Sequence, residues 1–550
     1  MQRELREEPG VSILIYDQVC ATEARRRRKR GKMPAIASRV VINEHVCEGC
    51  GDCSVQSNCL SVVPVETAFG TKRQIDQSSC NQDFSCVKGF CPSFVSIAGG
   101  QLKKAAITAV DGENWPKLPE PILPGTAQPY NLLLNGVGGM GVITLGALIG
   151  MAAHLDGKGV STLDMTGLAQ KYGAVFSHLR IADRPEDIHA ARIATGEAHA
   201  IIGGDLVVSA STEALSKMLE GRTRAVISCT ETPTADFTRN RDWHFPLVGL
   251  KQQLIATLGA EHTHFIDAQH LAKQLLGDAL YANMLLLGYA WQIGLVPVSA
   301  GALDKATELN GSAIEANRQA FLWGRRAAVD PEKVAKIAGP LAGQPFVEQS
   351  LEQLITSRSE HLTAYQDATL AKQYRERIAA ILALGNNALS RVVATQYARL
   401  LAPKDEYEVA RLYTETDFLH KLSEQFDGDL RLSFHLAPPG FTKPGPDGRP
   451  KKITFGPWLL PVLKWLAKAR RLRGSWLDPF RFGHERAVDR NLLNDYEADL
   501  DLLLKRSGQA SVMLQLANWP AEVRGFGPIR QQAADKARQV RQTARAALMA

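Results

Sequence analysis

Seven of the nine cysteines in this 550-residue chain fall between positions 47 and 91, and chemistry is most legible there. They run Cys47-x2-Cys50-x2-Cys53-x5-Cys59, then Cys80-x5-Cys86-x4-Cys91-Pro92. Three cysteines two residues apart on a tight turn aim thiolates and backbone amides at one volume, which suits three corners of a cubane iron–sulfur cluster. Gly49 and Gly51 supply the backbone freedom such a turn needs. In two-cluster ferredoxins the remaining ligand is a distant cysteine followed by proline, and here that is Cys91. The spacing therefore predicts a [4Fe-4S] cluster on Cys47, Cys50, Cys53 and Cys91. Cys59, Cys80 and Cys86 are left with three readings. They could hold a second cluster with one non-cysteine ligand, or a three-iron cluster, or Cys59 could replace Cys91 as the fourth ligand of the first. Zinc is the competing metal, but it favours two CxxC knuckles across a spacer rather than CxxCxxC. Cys20 and Cys229 stand apart; Cys229 ends an apolar run, where a free cysteine is usually core.

A second candidate is the turn Gly136-Val137-Gly138-Gly139-Met140-Gly141, between an apolar strand expected at 130–135 and an uncharged helix at 142–154. This is the strand–turn–helix opening of a doubly wound unit. Its glycines let a bound group approach the backbone, and the helix start offers free amides to a phosphate. Gly136, Gly138 and Gly141 fit GxGxxG, and Asp164, closing a strand expected at 160–164, could meet a ribose hydroxyl. That would make the chain an NAD(P)- or flavin-dependent oxidoreductase. The plainer reading is that the glycines permit tight helix–strand packing. Strands at 200–202, 206–209 and 225–228 alternate with helical segments and extend a parallel α/β pattern to about residue 325. Gly277-Asp278-Ala279 and Asn283 lack the second glycine and the separation of a thiamine GDG…N motif.

Length alone suggests about three or four domains. With 45% hydrophobic and 22% charged residues the chain has the composition of a globular protein, not a disordered one. Much of the net charge of +7 sits in Arg25-Arg26-Arg27-Arg28-Lys29-Arg30-Gly31-Lys32. No aromatics interleave with that run, so it reads as a solvated helix end or docking strip rather than a nucleic-acid site. Residues 131–155 and 279–303 are uncharged or nearly so and long enough to span a bilayer. Their glycines, asparagines and Pro297 suit a packed core better. No apolar segment follows the charged start, so no secretory signal and no membrane span are expected, and a cytoplasmic location is.

Several stretches together resemble the 2-oxoacid:ferredoxin oxidoreductases, and within them the fused indolepyruvate type. Gly136 to Thr144 is similar to the opening of the family's gamma domain, and Gly167 to Arg180 to a loop and strand of it. Residues 283–297 and 317–324 are similar to its closing helices. Gln77-Ser78-Ser79-Cys80 and Lys88-Gly89-Phe90-Cys91-Pro92 resemble the ferredoxin segment. Val11 to Gln18 and the arginines resemble the last strand of a thiamine-binding domain, and Phe434 to Pro439, Phe455 to Trp458 and Arg473-Gly474 the helical extension. The resemblance implies a multidomain α/β protein. Residues 1–33 would be a thiamine-domain remnant with the basic strip, and 40–100 a small ferredoxin-like iron–sulfur module. A linker at 114–129 would lead into a Rossmann-like parallel α/β domain of gamma type at 130–325, and a mixed, mostly helical C-terminal extension would fill 330–550.

It also implies electron transfer during coenzyme A-dependent oxidative decarboxylation of a 2-oxoacid, with ferredoxin as acceptor and one [4Fe-4S] cluster or two in this chain. Thiamine diphosphate and magnesium would sit on a partner catalytic subunit, since their motif is missing here. A homodimer is compatible with this, and an inactive truncated remnant is the alternative. Gly136, Gly138, Gly139 and Gly141 would support the coenzyme A end.

Overall fold

Two paired strands carry the chain into and out of the cysteine segment in the computed structural model, which describes all residues except 30, 104–114, 168–172, 233, 340–348, 439–441, 443–444, 446–448, 507 and 550. β1 (Ser38–Ile42) runs antiparallel to β4 (Phe94–Ala98), with Val41 opposite Val95. Between them β2 (Val62–Val65) and β3 (Lys72–Ile75) form a second antiparallel ribbon. The module is thus two strand–loop–helix–strand halves laid against each other. It is small, and a large share of its buried apolar surface is cysteine with Val40, Ile42, Val62, Ile75 and Phe94.

The C-terminal part completes this sheet. β13 (Arg431–Leu436) pairs with the free edge of β4, and β14 (Ile453–Phe455) with β13, giving the order β1-β4-β13-β14. A further short pair joins β5 (Gln101–Leu102) to β12 (Phe426–Asp427). The rest of the region is largely helical. Helices Leu351–Tyr365, Ala368–Leu382, Asn387–Leu401, His484–Lys505 and Gly527–Met549 enclose a core built on Tyr374, Tyr397, Tyr496 and Trp519.

The middle domain holds a six-stranded sheet in the order β11-β10-β9-β6-β8-β7. β6 (Tyr130–Val137), β9 (Ala200–Gly203), β10 (Arg224–Ser228) and β11 (Thr263–Ile266) are parallel. β7 (Gly159–Thr166) and β8 (Ala174–Ala182) are antiparallel, to each other and, for β8, to β6. The parallel sheet expected from the sequence is therefore mixed. The reason is visible in β7, whose residues from Ser161 to Thr166 alternate between half-buried and exposed. Alternation suits an antiparallel edge, whereas a buried parallel strand is apolar throughout.

Residues 206–209, expected as a strand, form a short helix. Asp205 caps it by accepting from the Val208 amide at 2.9 Å, and its other oxygen accepts from Val137 at 2.7 Å. A good cap outweighs β-branched residues over so short a run. Helices Ala282–Gln292 and Ile314–Val329 cross with Gly288 facing the Phe321 carbonyl and Gly324 facing that of Leu285; a Cβ at either would clash with backbone. Residues 9–20 form neither helix nor strand, so the strand that 11–18 resembled is not formed. The basic run from Arg25 to Lys29 ends helix Ala21–Lys29. Among the described residues no helix is long and apolar enough to cross a membrane.

Candidate metal centre

The first cysteine loop starts where β1 ends. Asn43 makes the turn: its side chain accepts from the His45 amide at 3.0 Å and its carbonyl from that of Cys47 at 2.9 Å. Gly49 (φ 64°) and Gly51 (φ 80°) flank Cys50 in the left-handed region, which turns the chain around that side chain. Helix Asp52–Ser57 follows and places Cys53 in its first turn. Cys91 arrives from the far end of the module because Asp52 accepts from the Phe90 amide at 2.7 Å. Gly89 permits this approach, since a Cβ there would lie 2.8 Å from the Cα of Cys53.

The structure thereby brings Cys47, Cys50, Cys53 and Cys91 together. Burial, then Cys91 and Cys47, push the Cys50 thiol up to about 12. Burial, then Cys91, Cys47 and Cys50, raise Cys53 further. Such sulfurs do not ionise readily without counter-charge, and a bound metal core supplies it. The Gly49 amide donates to the Cys47 sulfur at 3.4 Å. Four crowded thiols, a backbone amide on one sulfur and a glycine cradle fit an iron–sulfur cluster. Among the described residues no three His, Cys, Asp or Glu side chains are spaced to share a single metal ion, as a zinc tetrahedron needs.

Cations from three parts of the chain surround this group. Arg73 on β3 is buried, interacts with Cys47, Cys53 and Cys50, stacks 4.5 Å from Phe237 and donates to the Arg241 carbonyl at 2.8 Å. It ties the middle domain to the sulfurs. Lys452 donates to the carbonyls of Gly89 (2.5 Å) and Cys91 (3.3 Å), and Lys404 to that of Cys47 (3.0 Å). Gly525 lies against Cys50, and the Tyr413 hydroxyl donates to the Pro92 carbonyl at 2.6 Å. Burial pushes the Glu48 carboxyl up, but Lys404, Arg399, Lys72 and Arg530 outweigh it and hold it well below the usual carboxylate range. The C-terminal region is therefore a collar around the first group. Sequence reasoning assigned it no such place, because its contacts are long-range and no motif announces them.

Cys59, Cys80 and Cys86 form a second group. Burial, then Cys80, Cys59 and Asp83, push Cys86 up to about 12, and Cys80 is raised by burial with Cys59 and Asp83 among its neighbours. Cys59 belongs here rather than beside Cys53. The three cysteines line a small cleft with Val40, Gln82, Asp83 and Phe84. Asp83 was missed in the sequence, although Cys80-x2-Asp83-x2-Cys86 repeats the spacing of the first loop. The basic helix lies alongside: Arg25 donates to the Ser78 carbonyl, and Arg28 to that of Asn81 at 3.1 Å.

The glycine turn forms between β6 and helix Val142–Leu155. Gly136 packs on Val142 and Gly204, and Gly141 on the Asn283 amide. Gly139 (φ 98°) alone of the four faces open space. The helix begins at Gly141 without a side-chain cap. Asp164 does not support the dinucleotide reading: it is exposed on β7, at the sheet edge, with β8 between it and β6. Part of the loop 167–173, used in the resemblance, lies outside the described residues.

Residues 131–327 match the family described as Pyruvate ferredoxin/flavodoxin oxidoreductase. Residues 351–543 match a family of unknown function (DUF6537). The chain is similar to indolepyruvate oxidoreductase subunit IorB of Pyrococcus horikoshii, with 27% identity over 203 residues, covering 36% of this chain and 96% of that protein. The same subunit from Thermococcus kodakarensis is 26% identical over 203 residues, with the same coverage. Among solved structures, pyruvate oxidoreductase subunit PORC of Thermotoga maritima aligns over 36% of this chain and 96% of its own, at 18% identity and a TM-score of 0.27.

Proposed function

We propose, from the match of residues 131–327 to the pyruvate ferredoxin/flavodoxin oxidoreductase family, that the chain is the electron-relay and gamma-domain part of a 2-oxoacid:ferredoxin oxidoreductase, with an aryl pyruvate such as indolepyruvate as substrate. The observation that carries this reading is the pair of cysteine groups, one where three regions meet and one at a small cleft. When bound there, [4Fe-4S] clusters take single electrons, which couples a two-electron oxidation to a one-electron carrier.

The chain's own residues do the rest. Cys47, Cys50, Cys53 and Cys91 hold the inner cluster, while Arg73 and Lys452 offset its negative charge. The collar excludes water from it. Cys59, Cys80 and Cys86 hold the outer one, beside a basic helix whose charge suits an acidic carrier such as ferredoxin. Thiamine diphosphate and magnesium belong to a separate catalytic chain in a cytoplasmic complex. The open Gly139 and the uncapped helix start give coenzyme A phosphates a place to rest.

The test combines anaerobically purified chain with a thiamine-bearing partner, indolepyruvate, coenzyme A and a viologen dye. Dye reduction is expected, and Cys53→Ser should abolish it. A protein with full iron content that reduces no dye, with the partner's thiamine site occupied, would overturn the reading.

A further inference from the structure

The two cysteine loops are conformational repeats. Asn43 and Asp76 each precede a loop, and each side chain accepts from the amide two residues on, His45 at 3.0 Å and Ser78 at 3.1 Å. Their carbonyls accept from the amides of Cys47 (2.9 Å) and Cys80 (3.0 Å). Two residues later the Gly49 amide donates to the Cys47 sulfur and the Gln82 amide to the Cys80 sulfur, both at 3.4 Å. Gly49 and Gly51 are left-handed at φ 64° and 80°, and so are Gln82 and Phe84, both at φ 57°. A helical turn then begins, at Asp52 in one loop and Ser85 in the other, bringing in Cys53 and Cys86. Each loop's trailing cysteine crosses over, Cys91 to the first group and Cys59 to the second.

One position breaks the repeat. Cys50 sits between the two left-handed residues of the first loop; its counterpart in the second is Asp83. Left-handed backbone is unfavourable for an L-residue with a side chain, and here two non-glycine residues adopt it on either side of Asp83. Asp83 holds the position in the second loop that Cys50 holds in the first; it is exposed and lies among the residues that line the cleft of Cys59, Cys80 and Cys86.

We propose that Asp83 is the fourth protein ligand of a second cluster, binding one iron through a carboxylate oxygen while Cys59, Cys80 and Cys86 bind the other three. This rests on the iron–sulfur reading above and specifies the outer site. Both hydrogen bonds that hold the Asp83 side chain, from the Ser85 amide (3.1 Å) and hydroxyl (2.8 Å), use Oδ1. Oδ2 can therefore bind iron with the turn intact. A carboxylate is a harder and weaker partner for cluster iron than thiolate. The Asp83 corner is consequently the one that opens: ferricyanide takes one electron from [4Fe-4S]2+, leaving [3Fe-4S]+ and a released ferrous ion.

The experiment uses full-length chain reconstituted anaerobically with ferrous iron and sulfide, read by iron content and by electron paramagnetic resonance before and after ferricyanide. Wild type should hold about eight irons, lose about one on oxidation, and develop a three-iron signal. Asp83→Cys should keep its iron and show no such signal. Asp83→Ala should carry the three-iron cluster as prepared. If Cys86→Ala lowers iron to about half while Asp83→Ala matches wild type throughout, the Asp83 assignment falls and the second cluster stands. If Cys86→Ala leaves the iron content unchanged, or wild type binds no iron, the two-cluster reading fails with it.

Discussion

The two halves of the cysteine module share a backbone and differ in what surrounds it. The first loop uses glycine at both left-handed positions and is packed against Lys404, Lys452, Tyr413 and Gly525. The second uses Gln82 and Phe84, places Asp83 where the first has Cys50, and lies at a cleft beside the basic helix. A loop conformation thus sets where a ligand points, and the neighbouring domains set how deeply it is held. Burial and thiolate ligation suit an inner relay that stays intact; access and an oxygen ligand suit an outer one that exchanges.

The largest test of that contrast is to remove the collar's anchor. Asp405 is buried and binds Arg473 at 2.6 and 2.9 Å, and Arg486 as well. Asp405→Ala removes the buried carboxylate shared by two half-buried guanidiniums, which keep the Tyr365 carbonyl and Gln366 (Arg473) and Glu406 (Arg486) as partners, and should cost about 3 kcal/mol. The urea midpoint should fall, and the inner cluster should become as oxygen-sensitive as the outer. An unchanged inner cluster would mean that the collar does not protect it.

A more local break is Gly89→Ala. Its Cβ would press on the backbone of Cys53, an overpacking worth about 1–3 kcal/mol, and would part Cys91 from the other three sulfurs. Iron should fall by about half, with the outer cluster's spectrum retained. Loss of the outer cluster instead would reverse the assignment of the two groups.

Exchanging loop residues sharpens the comparison further. At Gly49 a Cβ meets the Thr71 carbonyl in addition to the left-handed strain, so Gly49→Ala should destabilise. Gln82→Gly relieves left-handed strain of about 1–2 kcal/mol but gives up the Gln82 side-chain hydrogen bond to the Ser38 carbonyl at 3.3 Å, so the thermal midpoint should rise only slightly. Gly139→Asp, in the middle domain, should weaken coenzyme A binding in the reconstituted complex and leave both clusters untouched. Unchanged affinity would assign that turn to packing.

Much of this was legible in the sequence, and unevenly so. Gly136 to Gly141 implied a strand, a turn and a helix because glycine clusters act locally. The CxxCxxC spacing implied a loop around one volume for the same reason. Three features escaped. β8 inserts between β6 and β7, a matter of pairing that local patterns do not encode. Asp205 converts β-branched residues into a helix through one cap. Asp83 was passed over because a carboxylate between cysteines does not look like a ligand until the backbone on either side is compared with that of Cys50.

The smallest expected effect concerns acid. His361 and His435 both lie on the collar, in helix Leu351–Tyr365 and on β13. Burial, then Arg411, Lys404 and Arg358, lower His361 to about 3; burial, then Lys452, lower His435 to about 4. Both are therefore neutral when folded, while in the unfolded chain they bind protons below about 6.5. Protonation then favours the unfolded state, so this contribution to stability is complete above about pH 6.5 and declines as pH falls toward 4 and then 3. The urea midpoint should drop between pH 7 and pH 5, and His361→Gln should flatten that slope. Because both histidines belong to the C-terminal region that forms the collar, acid should loosen it and expose the inner group first. An outer cluster lost before the inner one at pH 5 would show that the collar's histidines do not govern access to the inner site.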